Sequence, residues 1–84
     1  MNKYMIGTKA IHHLGDISRS EGDLCYIHGE DQDNYIGNWV RGFGFIDVKF
    51  PKATTRELTD EEIKYWNKRA IRISDGPSIP LKVD

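Results

Sequence analysis

The sequence predicts a mainly β domain with one helix, an α+β arrangement in which a small β-barrel or curled antiparallel sheet is closed by a C-terminal helix at about residues 60–69. Three observations predict it. Short apolar segments are separated by glycine- and acid-rich turns, residues 46–50 alternate between apolar and polar, and a helix-start signature stands at Thr59.

The chain has 84 residues and fits a single domain. A domain of this size buries only about 60–65% of its unfolded surface, so two Trp, four Tyr and three Phe matter to its core. The hydrophobic fraction of 38% beside 30% charged residues suits a folded chain. A net charge of −1 gives no whole-molecule attraction to nucleic acid or to an acidic membrane. The one cysteine, Cys25, excludes an internal disulfide framework, and no apolar run is long enough for a membrane span. These features point to a reducing cytoplasm.

The helix has the most specific local signal. Thr59 is placed as N-cap with Glu62 at the third helical position, the spacing of a capping box, and Leu58 and Ile63 have hydrophobic-staple spacing. Asp60, Glu61 and Glu62 fall in the first turn, with Lys68 and Arg69 in the last, as the helix dipole favours. Ile63, Trp66 and Ala70 share one face, and Lys64, Lys68 and Arg72 form a basic stripe whose bland reading is a solvated surface.

Strands are expected over residues 23–28, after the turn signal Glu21-Gly22, and over residues 34–41. A third covers residues 43–50, with Ile46, Val48 and Phe50 opposing Phe45, Asp47 and Lys49, and Pro51 ends it. Residues 4–14 suit a first strand and residues 71–73 a short one. Asp75-Gly76-Pro77 is a turn signal, and residues 79–83, with Pro80, suit only an edge. Alternation separates Tyr35 and Trp39 from Ile36 and Val40, and leaves open which pair faces the core.

Between residues 21 and 50 the order of features resembles the SH3-like small β-barrel. Glu21-Gly22-Asp23-Leu24 precedes a strand, and a polar hairpin loop follows at residues 29–34. Next come the aromatic-bearing strand with Tyr35 and Trp39, the turn Gly42-Phe43-Gly44 and a further apolar strand. The Ala-Leu-Tyr-like and Pro-Ser-Asn-Tyr-like segments of peptide-binding SH3 domains are missing, so no ligand position carries over. In its shortness the chain also looks like a bacteriophage accessory protein.

Several chemistries fail on spacing. Cys25-x-x-His28 with His12 and His13 suggests zinc, but adjacent strand residues point to opposite faces, which leaves a structural site short of a ligand. Asp31-x-Asp33 places Ile36 and Gly42 at the sixth and twelfth positions of a calcium loop, where glycine and an acid are needed. Cys25 and His28 are three apart on a strand, so they do not form a nucleophile–base pair. Gly42-x-Gly44 lacks the rest of a phosphate loop. No cofactor is implied.

What remains is a non-catalytic protein-interaction module, of the kind a phage-type inhibitor or adaptor would be, binding a host protein. Its expected contact surface is Tyr35, Trp39, Phe43 and Phe45 with Glu30, Asp31 and Asp33, since aromatic grooves beside acids suit proline-rich or cationic segments. The bland alternative buries Tyr35 and Trp39 in the core. A single-stranded nucleic-acid binder, stacking bases on the same aromatics and using Arg41, Lys49, Lys64 and Lys68, is the second reading, opposed by the acidic loop.

Overall fold

A computed structural model describes residues 2–42 and 47–69. Among the described residues run five antiparallel strands: β1 (Lys3–Ala10), β2 (Ile17–Glu30), β3 (Asn34–Trp39), β4 (Val48–Pro51) and β5 (Thr55–Arg56). A 3-10 turn, Lys52–Thr54, joins β4 to β5, and helix α1 spans Asp60–Asn67. The sheet order is β4-β3-β2-β1-β5. Ile11, just beyond β1, forms an isolated bridge to Lys49 of β4, so the sheet curls back on itself as a half-barrel.

The mainly β architecture with one helix is as expected, but the strand boundaries differ. β2 is far longer than residues 23–28, because Glu21-Gly22 forms a bulge inside a continuous strand and not a turn before one. Gly7 pairs with Asp23 while Lys9 pairs with Ser18, so residues 19–22 of β2 face Thr8 alone. Gly22 makes the bulge possible: its φ is +81°, and a Cβ there would lie 2.8 Å from Ile6 Cγ2. β1 stops at Ala10, short of the expected residue 14, because the chain turns through His12–Gly15 with a Gly15 N–H to His12 carbonyl bond of 2.9 Å. The short strand β5 and the turn before it carry no hydrophobic alternation and were not anticipated.

Two apolar clusters flank the sheet. Met5, Ala10, Cys25, Ile27, Trp39, Val48 and Phe50 fill the inner one, where Trp39 meets Phe50 edge-on at 4.9 Å. Tyr4, Ile6, Leu24 and Val40 form the outer one, against which Leu58 and Trp66 pack. The helix is therefore fixed through the residue before its cap and one indole. The capping box is complete: Glu62 N–H donates to Thr59 Oγ1 (3.2 Å) and Thr59 N–H to Glu62 Oε1 (2.9 Å). The helix ends at Asn67 with Lys68 as C-cap, two residues before the expected end.

Val48 and Phe50 are buried while Lys49 is exposed, which is the expected alternation within β4; Asp47, exposed with a φ of +55°, precedes the strand and is not part of it. Pro51 still pairs, opposite Asn34. The readings of Phe43 to Ile46, of Ala70 and Arg72 on the helix face, and of residues 71–73, 75–77 and 79–83 fall outside the described residues.

Candidate functional site

The hairpin between β2 and β3 gathers most of the residues that the sequence pointed to. Its turn is built by Asp31, whose Oδ1 accepts the amides of Asn34 (2.8 Å) and Asp33 (2.9 Å), while its own N–H donates to the Asn34 carbonyl (2.9 Å). Those amide bonds hold the Asp31 carboxyl below the usual carboxylate range. Its Oδ2 lies 3.9 Å from Lys49.

Glu30 Oε2 accepts a hydrogen bond from Lys52 Nζ at 2.6 Å, which lowers the Glu30 pKa and raises that of Lys52. The same ammonium stands 5.3 Å from the centre of the half-buried Tyr35 ring. Glu30 and the Tyr35 ring thus hold one cation between them, a lysine of the chain itself. Asp33 is exposed and makes no ion pair among the described residues, although its carbonyl accepts the Lys52 amide (3.0 Å).

Trp39 is not part of this surface. It is 3% exposed, and Arg19 lies over its ring at 4.4 Å, so the expected exposed indole is replaced by a core one. Its indole N–H has no hydrogen-bond partner among the described residues. The reason is that the chain is covered on both sides at the end of β3: Trp39, its last residue, enters the inner cluster, while Val40, just beyond it, enters the outer one against which Trp66 packs. Phe43 and Phe45 lie outside the described residues. Of the four cations in the nucleic-acid reading, Lys49 faces Asp31, Arg41 engages Asp23, and Lys64 and Lys68 are exposed on the helix.

A second cluster had no signal strong enough to be singled out. Asp23 is 7% exposed at the foot of the β2 bulge, and its carboxylate is shared between two arginines. Arg19 Nη1 donates to Oδ2 (2.5 Å), Arg41 Nη2 to Oδ1 (2.9 Å), and the Leu24 amide also donates to Oδ1 (2.8 Å). Burial opposes ionisation of Asp23 most strongly, yet Arg41, the Leu24 amide and Arg19 together outweigh it, and the pKa lies below the ordinary value. Arg19 Nη2 further donates to the Arg41 carbonyl (3.0 Å), and Arg41 lies over Trp66 at 5.2 Å. The available clue was an acid at the head of an apolar run with an arginine four residues earlier.

The metal and nucleophile candidates separate in space. Cys25 is fully buried in the inner cluster, donates to the Met5 carbonyl (3.4 Å) and is pushed up to about 12 by burial. His28 is exposed and pairs with Asp47 at 2.8 Å. Contrary to the opposite-face expectation, the rings of His12 and His13 lie 4.2 Å apart, because the strand has already ended. No three His, Cys, Asp or Glu side chains are grouped to hold a metal ion among the described residues. Nor does any helix there have the length and apolarity to cross a membrane.

The fold and site define a small curled β-sheet with one docked helix and two charged surface clusters. Compared with known proteins, the chain matches no family model, no curated protein and no solved structure.

Proposed function

We propose that the chain is a non-catalytic protein-interaction module whose β2–β3 hairpin receives a basic segment of its partner. The observation that carries this reading is the placement of Lys52, 2.6 Å from Glu30 and 5.3 Å from the Tyr35 ring. An ammonium held by one exposed carboxylate and one aromatic face is readily exchanged for another cation, because exposed ion pairs contribute little net free energy. Asp33 beside it offers a second carboxylate. The finer reading, an SH3-like barrel acting as a phage-type inhibitor or adaptor on a host protein, rests on the resemblance over residues 21–50. The bridge from Ile11 to Lys49, which curls the five strands towards closure, supports the barrel part of it.

The test is a titration of the whole chain with a lysine- and proline-containing peptide, following amide shifts. Saturable shifts confined to residues 30–35 and 52, weakened several-fold in an E30Q/D33N double variant, are expected. Equal affinity in that variant would overturn the proposal. So would a preference for a single-stranded oligonucleotide that falls steeply with added salt, which belongs to the nucleic-acid reading.

A further inference from the structure

The Arg19–Asp23–Arg41 cluster borders a cleft of about 290 Å³ lined by Arg19, Ser20, Glu21, Gly22, Asp23 and Arg41. We infer that this cleft binds one small oxyanion, a carboxylate or a phosphate group, through the open edge of Arg41.

The geometry assigns different tasks to the two arginines. Arg19 is held on three sides, by Asp23 Oδ2, by the Arg41 carbonyl and by the Trp39 ring, and its side chain is only 21% exposed. It fixes Asp23 and the Arg41 backbone. Arg41 is 66% exposed and, among the described residues, its guanidinium donates to Asp23 Oδ1 alone, because Asp23 divides its two oxygens between two guanidiniums. A guanidinium presents five N–H donors and pairs best with an oxyanion through two parallel bonds. Asp23 cannot supply that second bond, so Arg41 is anchored at Nη2, and the rest of its fork makes no side-chain bond among the described residues.

The surroundings suit a small anion. Arg19 and Arg41 face two carboxylates, Asp23 and Glu21, so the lining is neutral as a whole; Asp23 is buried and already paired, which leaves Arg41 as the exposed cation of the cleft. The wall is completed by Ser20 and by the bulge, where the register gives residues 19–22 only Thr8 to face. The cleft is shallow and opens widely to solvent, so it offers a seat to a single small group and covers little of it. Glu21, exposed on the same wall, opposes an anion and sets a limit to affinity.

The experiment titrates the whole chain with inorganic phosphate and, separately, with acetate at constant ionic strength, following amide shifts. Saturable shifts at residues 19–23 and 41 are expected, weakened at least tenfold in R41Q, unchanged in K64Q and strengthened several-fold in E21Q. The two titrations distinguish phosphate from carboxylate as the preferred group. No saturation with either anion would overturn the inference, as would equal binding by R41Q or strongest shifts at residues 49–52. The E21Q gain is the readout that a purely structural role for Arg41 would not produce.

Discussion

Replacing Asp23 by Asn removes the negative charge between two guanidiniums while keeping the side chain's shape and its acceptor for the Leu24 amide. Breaking a buried ion pair by removing one partner costs about 3–5 kcal/mol. The Arg41 half is discounted, since that side chain is 66% exposed and an exposed pair contributes about 1 kcal/mol at most. Arg19, 21% exposed and covered by Trp39, cannot recover full hydration but keeps the Arg41 carbonyl. The expected loss for Asp23→Asn is therefore about 2–3 kcal/mol, against roughly 4–13 kcal/mol for a domain of 84 residues. That corresponds to a fall in Tm of roughly 10–20 °C. Urea unfolding should show a lower midpoint at unchanged slope, whereas R41Q should lose less than about 1 kcal/mol. The folded pKa of Asp23 lies below its unfolded value of about 3.9, so its contribution is complete above that pH and lost as pH falls through the folded value. A wild-type midpoint for Asp23→Asn, or an equal loss in R41Q, would refute the division of labour between the two arginines.

Thr59→Ala should remove the hydroxyl end of the capping box and lower stability by about 1 kcal/mol in thermal melts. Glu62, hydrogen-bonded by Arg56 and by the Thr59 amide, has its pKa lowered to about 2; its stabilising effect is full above about pH 4.3 and fades as pH drops towards 2, and E62Q should flatten that part of the stability profile. Cys25, fully buried and pushed up to about 12, should resist a thiol reagent at pH 8 in the folded chain and react at once in urea; rapid labelling without denaturant would contradict its placement. Gly37→Ala should be strongly destabilising, because a methyl group there runs into the Tyr26 carbonyl across the β2–β3 pair; normal expression and an unchanged melt would show that the strands separate more easily than their register implies.

The helix was legible in the sequence because its signal is local. Thr59 and Glu62 are three residues apart, and their two hydrogen bonds depend on nothing beyond the turn that contains them. The same holds for alternation at Val48–Phe50, where period two is a property of the extended backbone itself. The acidic hairpin was legible for a similar reason: Asp31 closes its own turn. Its partners were not, since Lys52 reaches Glu30 only because β4 lies beside β3.

Pairing across the sheet decided the remainder. Alternation placed Tyr35 and Trp39 opposite Ile36 and Val40, but it could not choose the buried side, because the inner cluster takes Trp39 and the outer cluster takes Val40. Glu21-Gly22 has the composition of a turn, and only the pairing of Gly7 with Asp23 and Lys9 with Ser18 makes it a bulge within one strand. The Arg19–Asp23–Arg41 cluster joins residues 18 positions apart in the chain, at a distance that no local pattern encodes. The sequence by itself determined a mainly β chain with one capped helix, through short-range backbone and capping preferences. Tertiary structure alone decided which aromatic is core and that Arg19, Asp23 and Arg41 meet at one cleft, because those depend on the register between strands and on what covers each face of the sheet.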